Sequence, residues 1–144
     1  MTRDSHCELC QQAGGEVVYE DQTARVVLVS DPLYPGFCRV IYQEHIAEMS
    51  DLENAQRVHL MALVWQVEQI LRREMQPSKI NLASLGNMTP HLHWHVIPRF
   101  TDDAHFPQPV WGQVQRSVEN NPAHAARVAS LPTLAQTLRQ ALSQ

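Results

Sequence analysis

The stretch "PHLHWHVIPRF", Pro90–Phe100, sets His91, His93 and His95 at strict two-residue spacing, with an apolar residue in each gap. A β-strand sends alternate side chains to opposite faces, so the three histidines share one face and Leu92, Trp94 and Val96 share the other. The second set reads as core; the histidine face must be solvated or line a pocket. A polar strand face that happens to use histidine is the plainest reading. A metal site is a second: zinc accepts imidazole at about 2.0–2.1 Å. On a regular strand, however, the outer two histidines start roughly 13 Å apart, too far for one ion to be held by all three. A third reading is nucleophilic catalysis, in which a neutral imidazole attacks phosphorus and splits one displacement into two steps. His93 is best placed for that role, with a histidine on each side and a core-anchored backbone beneath.

The rest of the fold follows outward from this strand. "KINLASL" (Lys79–Leu85) alternates as a fourth strand, joined to the fifth, "HLHWHVI", by the tight connection "GNMTP" (Gly86–Pro90). Before it, Leu60, Leu63, Val64, Val67, Ile70 and Leu71 recur at three- and four-residue spacing and predict one long helix. Ser50 and Glu53 form an S-x-x-E capping box ahead of that helix, and Pro77 ends it. Trp65, at helical spacing, reads as core. Earlier still, "EVVYED" (Glu16–Asp21) and "ARVVLV" (Ala24–Val29) predict a hairpin, and "FCRVIYQ" (Phe37–Gln43) a third strand after the loop "SDPLYPG" (Ser30–Gly36). A further helix is expected near Leu131–Leu142. The expected class is α+β: a mainly antiparallel five-stranded sheet with one long helix and a C-terminal helix.

The 144 residues, 44% hydrophobic and 18% charged, suit a single domain over 1–144, with a core at about 7–100 and a C-terminal extension at about 101–144. A formal charge of −4 argues against a nucleic-acid partner. No apolar run approaches the roughly 20 residues of a membrane span. The start, "MTRDSHCELC", has no apolar signal core. A cytoplasmic location is expected, where Cys7, Cys10 and Cys38 stay reduced. Cys7-x-x-Cys10 has the spacing of half a zinc site, a redox pair or two surface thiols. Cys38, inside a strand, reads as a small buried apolar residue. His59 reads as a solvated or half-buried helix residue, and His6, His105 and His124 show no partner.

The run His91-Leu92-His93-Trp94-His95-Val96-Ile97 resembles the His-φ-His-φ-His-φ-φ signature, with φ apolar, of the histidine triad (HIT) family. "CELC", "PLYPGF", "QEH" and "NLASLGN" extend the resemblance over about Cys7–Phe100. It implies an α+β sheet, usually in a homodimer. It also implies nucleotide hydrolase or transferase activity at the α-phosphate of dinucleoside polyphosphates, nucleoside phosphoramidates and related compounds, with no catalytic cofactor. On these positions it implies His93 as nucleophile, oriented by a backbone carbonyl, and His95 on the phosphate or leaving-group oxygen. Asn81, Asn87 and Met88 become substrate contacts, and Asp31 with Ser30 the candidates for the ribose. Three departures stand out: Asn87 where relatives carry Gln, Met88 where they often have Ser or Thr, and Phe37 where many carry a supporting histidine.

Family members with a similar N-terminus place zinc on two cysteines, the histidine before the long helix and the first triad histidine. That implies a structural Cys7, Cys10, His45, His91 site, which also frees His93 and His95 for substrate. A non-catalytic nucleotide-binding module and a zinc-dependent hydrolase are the alternative functions. Arg99 reads either as a phosphate contact or as part of a surface salt bridge. Trp111 is a candidate cover for the pocket or the dimer interface.

Overall fold

The computed structural model describes residues 2–144. Three β-branched-rich runs form β1 (Glu16–Glu20), β2 (Ala24–Leu28) and β3 (Cys38–Tyr42), and β4 (Lys79–Ala83) and β5 (His93–Arg99) complete an antiparallel sheet in the order β1-β2-β3-β5-β4. A short helix α1 (Glu8–Gln11) precedes β1, the long α2 (Asn54–Met75) crosses between β3 and β4, and α3 (Pro122–Ala129) and α4 (Leu131–Leu142) close the chain. This is the α+β sheet expected from the order of strands, long helix and further strands. α3 was not foreseen. Among the described residues, no helix is long and apolar enough to cross a membrane.

One sheet face carries the main core. Val26, Cys38, Val40, Leu92 and Val96 meet Leu60, Leu63, Val64, Val67, Ile70 and Leu71 of α2, and Leu134, Ala135, Leu138 and Leu142 of α4. The α2 residues are the six expected from helical spacing, and Cys38 is fully buried as expected. Trp65 departs from expectation: it is 60% exposed, because its position on α2 lies off the stripe that meets the sheet.

The start of α2 also differs. Ser50 lies in a separate 3-10 turn, Met49–Asp51, where Asp51 accepts from the Glu48 N–H at 3.2 Å. The N-cap of α2 is Glu53, whose N–H donates to the Gln56 side chain at 3.0 Å. The capping box therefore sits three residues later than the S-x-x-E pattern suggests. At the other end Gln76 adopts φ 51° and Pro77 follows, so the helix stops where expected. Gly36, at φ 91°, lets the loop before β3 pass against Met75; a Cβ there would collide with the Met75 sulfur.

The opposite, open face holds two small apolar clusters. Cys7, Leu9, Cys10, Val27 and Ile41 form one; Tyr34, Phe37 and Ile97 form the other. Arg25 fastens the N-terminal segment to this face. Its guanidinium donates to the carbonyls of Leu9 (2.6 Å), Gln12 (3.1 Å) and Ala13 (2.9 Å) and to Gln43 (2.7 Å).

Because Leu138 is fully buried between α2 and the sheet, Leu138→Ala should cost about 2–5 kcal/mol of stability. Urea unfolding measures this; a loss below about 1 kcal/mol would show that the C-terminal helix is peripheral to the core.

Candidate active site and metal cluster

β5 begins at His93, two residues later than expected. His91 leaves the ladder because its side chain is drawn away, while Leu92 still bonds Ile46 and Tyr42 through its backbone. The His91 ring is fully buried. Its Nε2–H donates to the Tyr42 carbonyl at 2.6 Å, so its Nδ1 lone pair faces the sulfurs of Cys7 (3.5 Å) and Cys10 (3.4 Å). His45 Nδ1 lies 3.4 Å from the Cys10 sulfur, and its Nε2 is 3.8 Å from Asp4. The four donor atoms all lie within 4.8 Å of one another.

These donors fit a tetrahedral metal. A zinc about 2.3 Å from sulfur and about 2.0–2.1 Å from nitrogen spaces each sulfur–nitrogen pair about 3.6 Å apart. The His91 far nitrogen is held by the Tyr42 carbonyl, the kind of outer partner that fixes the tautomer of a metal-binding imidazole, and the Asp4 carboxylate lies near the far nitrogen of His45 at 3.8 Å, beyond hydrogen-bond distance. Cys7, Cys10, His45 and His91 are thus one cluster that could hold a metal ion.

The remaining two histidines stay on the open face of β5. His93 Nδ1–H donates to the His91 carbonyl at 2.6 Å, leaving the Nε2 lone pair free. The His95 ring lies 4.9 Å from that of His93, edge-on. Phe37 (5.5 Å) and Trp111 (5.1 Å) close around His95, and its Nδ1 is buried with no hydrogen-bond partner. Burial lowers the pKa of both, more than the His91 carbonyl raises that of His93; the Arg39 charge acts in the same direction. His95 falls to about 4, with His93 as a further cause. Both rings are therefore neutral at neutral pH.

Asn81 shares this face, two residues along β4 from Ala83, which pairs with His95. Its carbonyl oxygen accepts from Arg99 Nη1 at 2.8 Å, so its NH2 group is the end left for other partners. Arg99 is neither a free phosphate contact nor part of a surface salt bridge. It is 2% exposed and forms a two-pronged ion pair with Asp103 at 2.7 and 3.0 Å, with a further bond to the Gln108 carbonyl. Burial raises the Asp103 pKa, but Arg99 and the backbone N–H groups of Phe100, Phe106 and His105 outweigh it and lower it overall.

The same carboxylate organises the loop that brings Trp111 over His95. Asn81, Arg99, Phe106 and Trp111 line a cleft of about 830 Å³ beside β4. His93 lines a separate cavity of about 400 Å³ with Ser84, Gly86 and Met49. Trp111 lies edge-on to His95 and lines the cleft beside β4.

Asn87 and Met88 are exposed in the loop after Gly86, Met88 at 94%, and their side chains line neither cavity. Asp31 accepts from the Leu33 N–H at 2.9 Å within its own turn. His59 pairs with Asp21 at 2.6 Å, His105 bonds the Tyr34 hydroxyl and His124 reaches the Pro32 carbonyl at 3.0 Å. Arg39 was missed. Its signal was a lone charge in "FCRVIYQ", on the face that Phe37 and Ile41 share with the histidines.

The five-stranded antiparallel sheet with its crossing helix is the fold of solved histidine triad proteins. Residues 11–102 match the family described as HIT domain, and the chain belongs to it. It is 29% identical over 98 residues to an "AP-4-A phosphorylase" of Mycobacterium tuberculosis, covering 64% of this chain and 50% of that protein. It is 25% identical over 112 residues to a "bis(5'-nucleosyl)-tetraphosphatase [asymmetrical]" of Schizosaccharomyces pombe, covering 74% and 62%. The chain thus spans about half to three fifths of the length of these relatives. Among solved structures, a histidine triad protein of Bradyrhizobium japonicum aligns with a TM-score of 0.73 at 27% identity, over 95% of this chain and 98% of that one. One from Marinobacter aquaeolei aligns with a TM-score of 0.70 at 27% identity, over 96% and 99%.

His95 carries a pH prediction. Its folded pKa of about 4 lies below the unfolded value of about 6.5, so the unfolded chain binds more protons between the two. The stability it contributes relative to His95→Asn should be fully present above about pH 6.5 and lost as the pH falls toward about 4. Urea titrations of both proteins across that range measure it; a pH-independent difference would contradict the burial argument.

Proposed function

We propose that this protein is a nucleotide-phosphate hydrolase or transferase. It acts at the α-phosphate of dinucleoside polyphosphates or nucleoside phosphoramidates through a covalent nucleotidyl-histidine. The observation that carries this reading is the bond from His93 Nδ1–H to the His91 carbonyl, which aims a neutral Nε2 at the open face beside His95. The names of the M. tuberculosis and S. pombe relatives support the dinucleoside polyphosphate class.

In the first step the His93 Nε2 lone pair forms the bond to the α-phosphorus, and the bond from phosphorus to the leaving oxygen or nitrogen breaks. A polyphosphate leaves as its anion, and an amine leaving group takes its proton from solvent. In the second step water attacks the same phosphorus, its proton passes to solvent, the bond from phosphorus to His93 Nε2 breaks and the nucleoside monophosphate leaves. His95 sits beside the phosphate and the leaving atom. The Asn81 NH2, its carbonyl held by Arg99, donates to a phosphate oxygen; preorganised donors of this kind stabilise charge that builds in the transition state. Asn87 and Met88 contribute through the loop backbone, because their side chains project to solvent. The protein works as a homodimer, as the family resemblance implies.

The metal of the cluster is zinc, held by Cys7, Cys10, His45 and His91. Four protein ligands fill a tetrahedral set and leave no open position, which supports a structural role. When bound, zinc ties the N-terminal segment to the start of the catalytic strand.

Two measurements test these readings. His93→Ala, folded by circular dichroism, should lose at least about a thousandfold in AMP release across a panel of dinucleoside polyphosphates and adenosine phosphoramidates. Turnover near the wild-type rate would end the nucleophile assignment, and nucleotide binding without turnover in the wild type would favour a binding module. Native mass spectrometry should show about one zinc per chain, and Cys7→Ser with Cys10→Ser should remove it and lower Tm more than kcat. Loss of kcat at unchanged Tm would instead point to a catalytic metal.

A further inference from the structure

The open face carries three arginines, and two of them are fully engaged. Arg25 is spent on three N-terminal carbonyls and Gln43. Arg99 is spent on Asp103, Asn81 and Gln108. Arg39 is different. It lies on β3 directly opposite His95 on β5 and opposite Val27 on β2. It forms no ion pair among the described residues. Of the five N–H donors of a guanidinium, one reaches the Gly14 carbonyl, at 3.2 Å. Its Nε is buried without an acceptor.

The second observation is independent of the first. His95, 6% exposed, also has a buried Nδ1 with no partner. Two unsatisfied polar groups on paired positions of adjacent strands are uncommon, since buried polar atoms are nearly always matched. One is cationic and the other is an imidazole nitrogen able to donate, so an anion completes both. Phe37 lies beside the guanidinium, 6.0 Å from ring centroid to Arg39 Cζ, and supports it while leaving its charge unneutralised. Lys79 is no substitute: it lies four residues along β4 from the level of His95, about 13 Å away.

We propose that Arg39 is a phosphate-binding residue of this site, its guanidinium fork taking two oxygens of the substrate phosphate next to His95. This rests on the reading of the site as a nucleotide-phosphate site. It also accounts for how a chain whose Met88 points to solvent still meets the charge of its substrate: an arginine on the sheet supplies what the loop side chain does not. A guanidinium matches phosphate geometry better than any other side chain, and charged hydrogen bonds of this type are the strong ones.

Calorimetric titration of AMP and of adenosine into the wild-type protein, Arg39→Gln and Arg39→Lys tests the proposal. Arg39→Gln should weaken AMP at least about tenfold and leave adenosine within about twofold. Arg39→Lys, which keeps the charge but not the fork, should weaken AMP by about threefold with adenosine unchanged; it decides the matter if the glutamine variant does not fold. AMP affinity that is unchanged, AMP and adenosine weakened in parallel, or a wild-type protein that binds neither AMP nor inorganic phosphate would each overturn the assignment. Arg39-dependent AMP binding without turnover on any substrate would sink the hydrolase reading and leave this inference standing. His93-dependent turnover with a wild-type KM in Arg39→Gln would do the reverse.

Discussion

The arrangement depends on one residue used twice. The ring of His91 turns away from the sheet into the Cys7, Cys10 and His45 cluster, while its carbonyl accepts the Nδ1–H of His93. The same backbone position that is tied to the N-terminal segment therefore sets the tautomer of the next histidine. Fixing which nitrogen carries the proton decides which one can act as a base or nucleophile. The Tyr42 carbonyl does the equivalent service for His91. Two backbone carbonyls thus leave opposite ring nitrogens free, Nδ1 in His91 and Nε2 in His93, in histidines that differ little in sequence context.

The sheet supplies the rigidity this needs. Leu92 and Val96, with Trp94 packed against them, hold β5 on the core formed with α2 and α4. On the open face, burial keeps His93 and His95 uncharged, and the Arg99–Asp103 pair orients the Asn81 amide. A buried ion pair of this kind contributes little net stability against a hydrophobic replacement. Here its visible consequence is positional: it holds Asn81 at one end and the backbone of Phe100, His105, Phe106 and Gln108 at the other.

Features governed by local periodicity were legible in the sequence. β-Branched runs located the first hairpin and two-residue alternation the last two strands, and three- and four-residue spacing gave all six buried residues of α2. Features governed by long-range contacts were not. Ser50 looked like a cap because S-x-x-E is a local pattern, yet Glu48 and Asp51 hold it in a separate turn. Trp65 has core chemistry but lies off the buried stripe. The loop after β5 carries no periodic signal, since its order comes from Asp103 accepting from Arg99 and three backbone N–H groups, and from Arg116 bonding the carbonyls of Asp103 and Phe106. In the candidate site, the grouping of Cys7, Cys10, His45 and His91 came from family resemblance. Arg39 differs from Arg25 and Arg99 on the same face only in its long-range partners, which no local pattern encodes.

The central claim is that His93 reacts through Nε2 because its Nδ1 is committed to the His91 carbonyl. The direct measurement is to trap the intermediate by rapid acid-free quench, locate it by peptide mass mapping and assign the linked nitrogen by phosphorus–nitrogen correlation NMR on histidine-labelled protein. The account predicts a nucleotidyl group on His93, bonded to Nε2. An adduct on Nδ1, an adduct on another residue, or turnover with no covalent intermediate would contradict it.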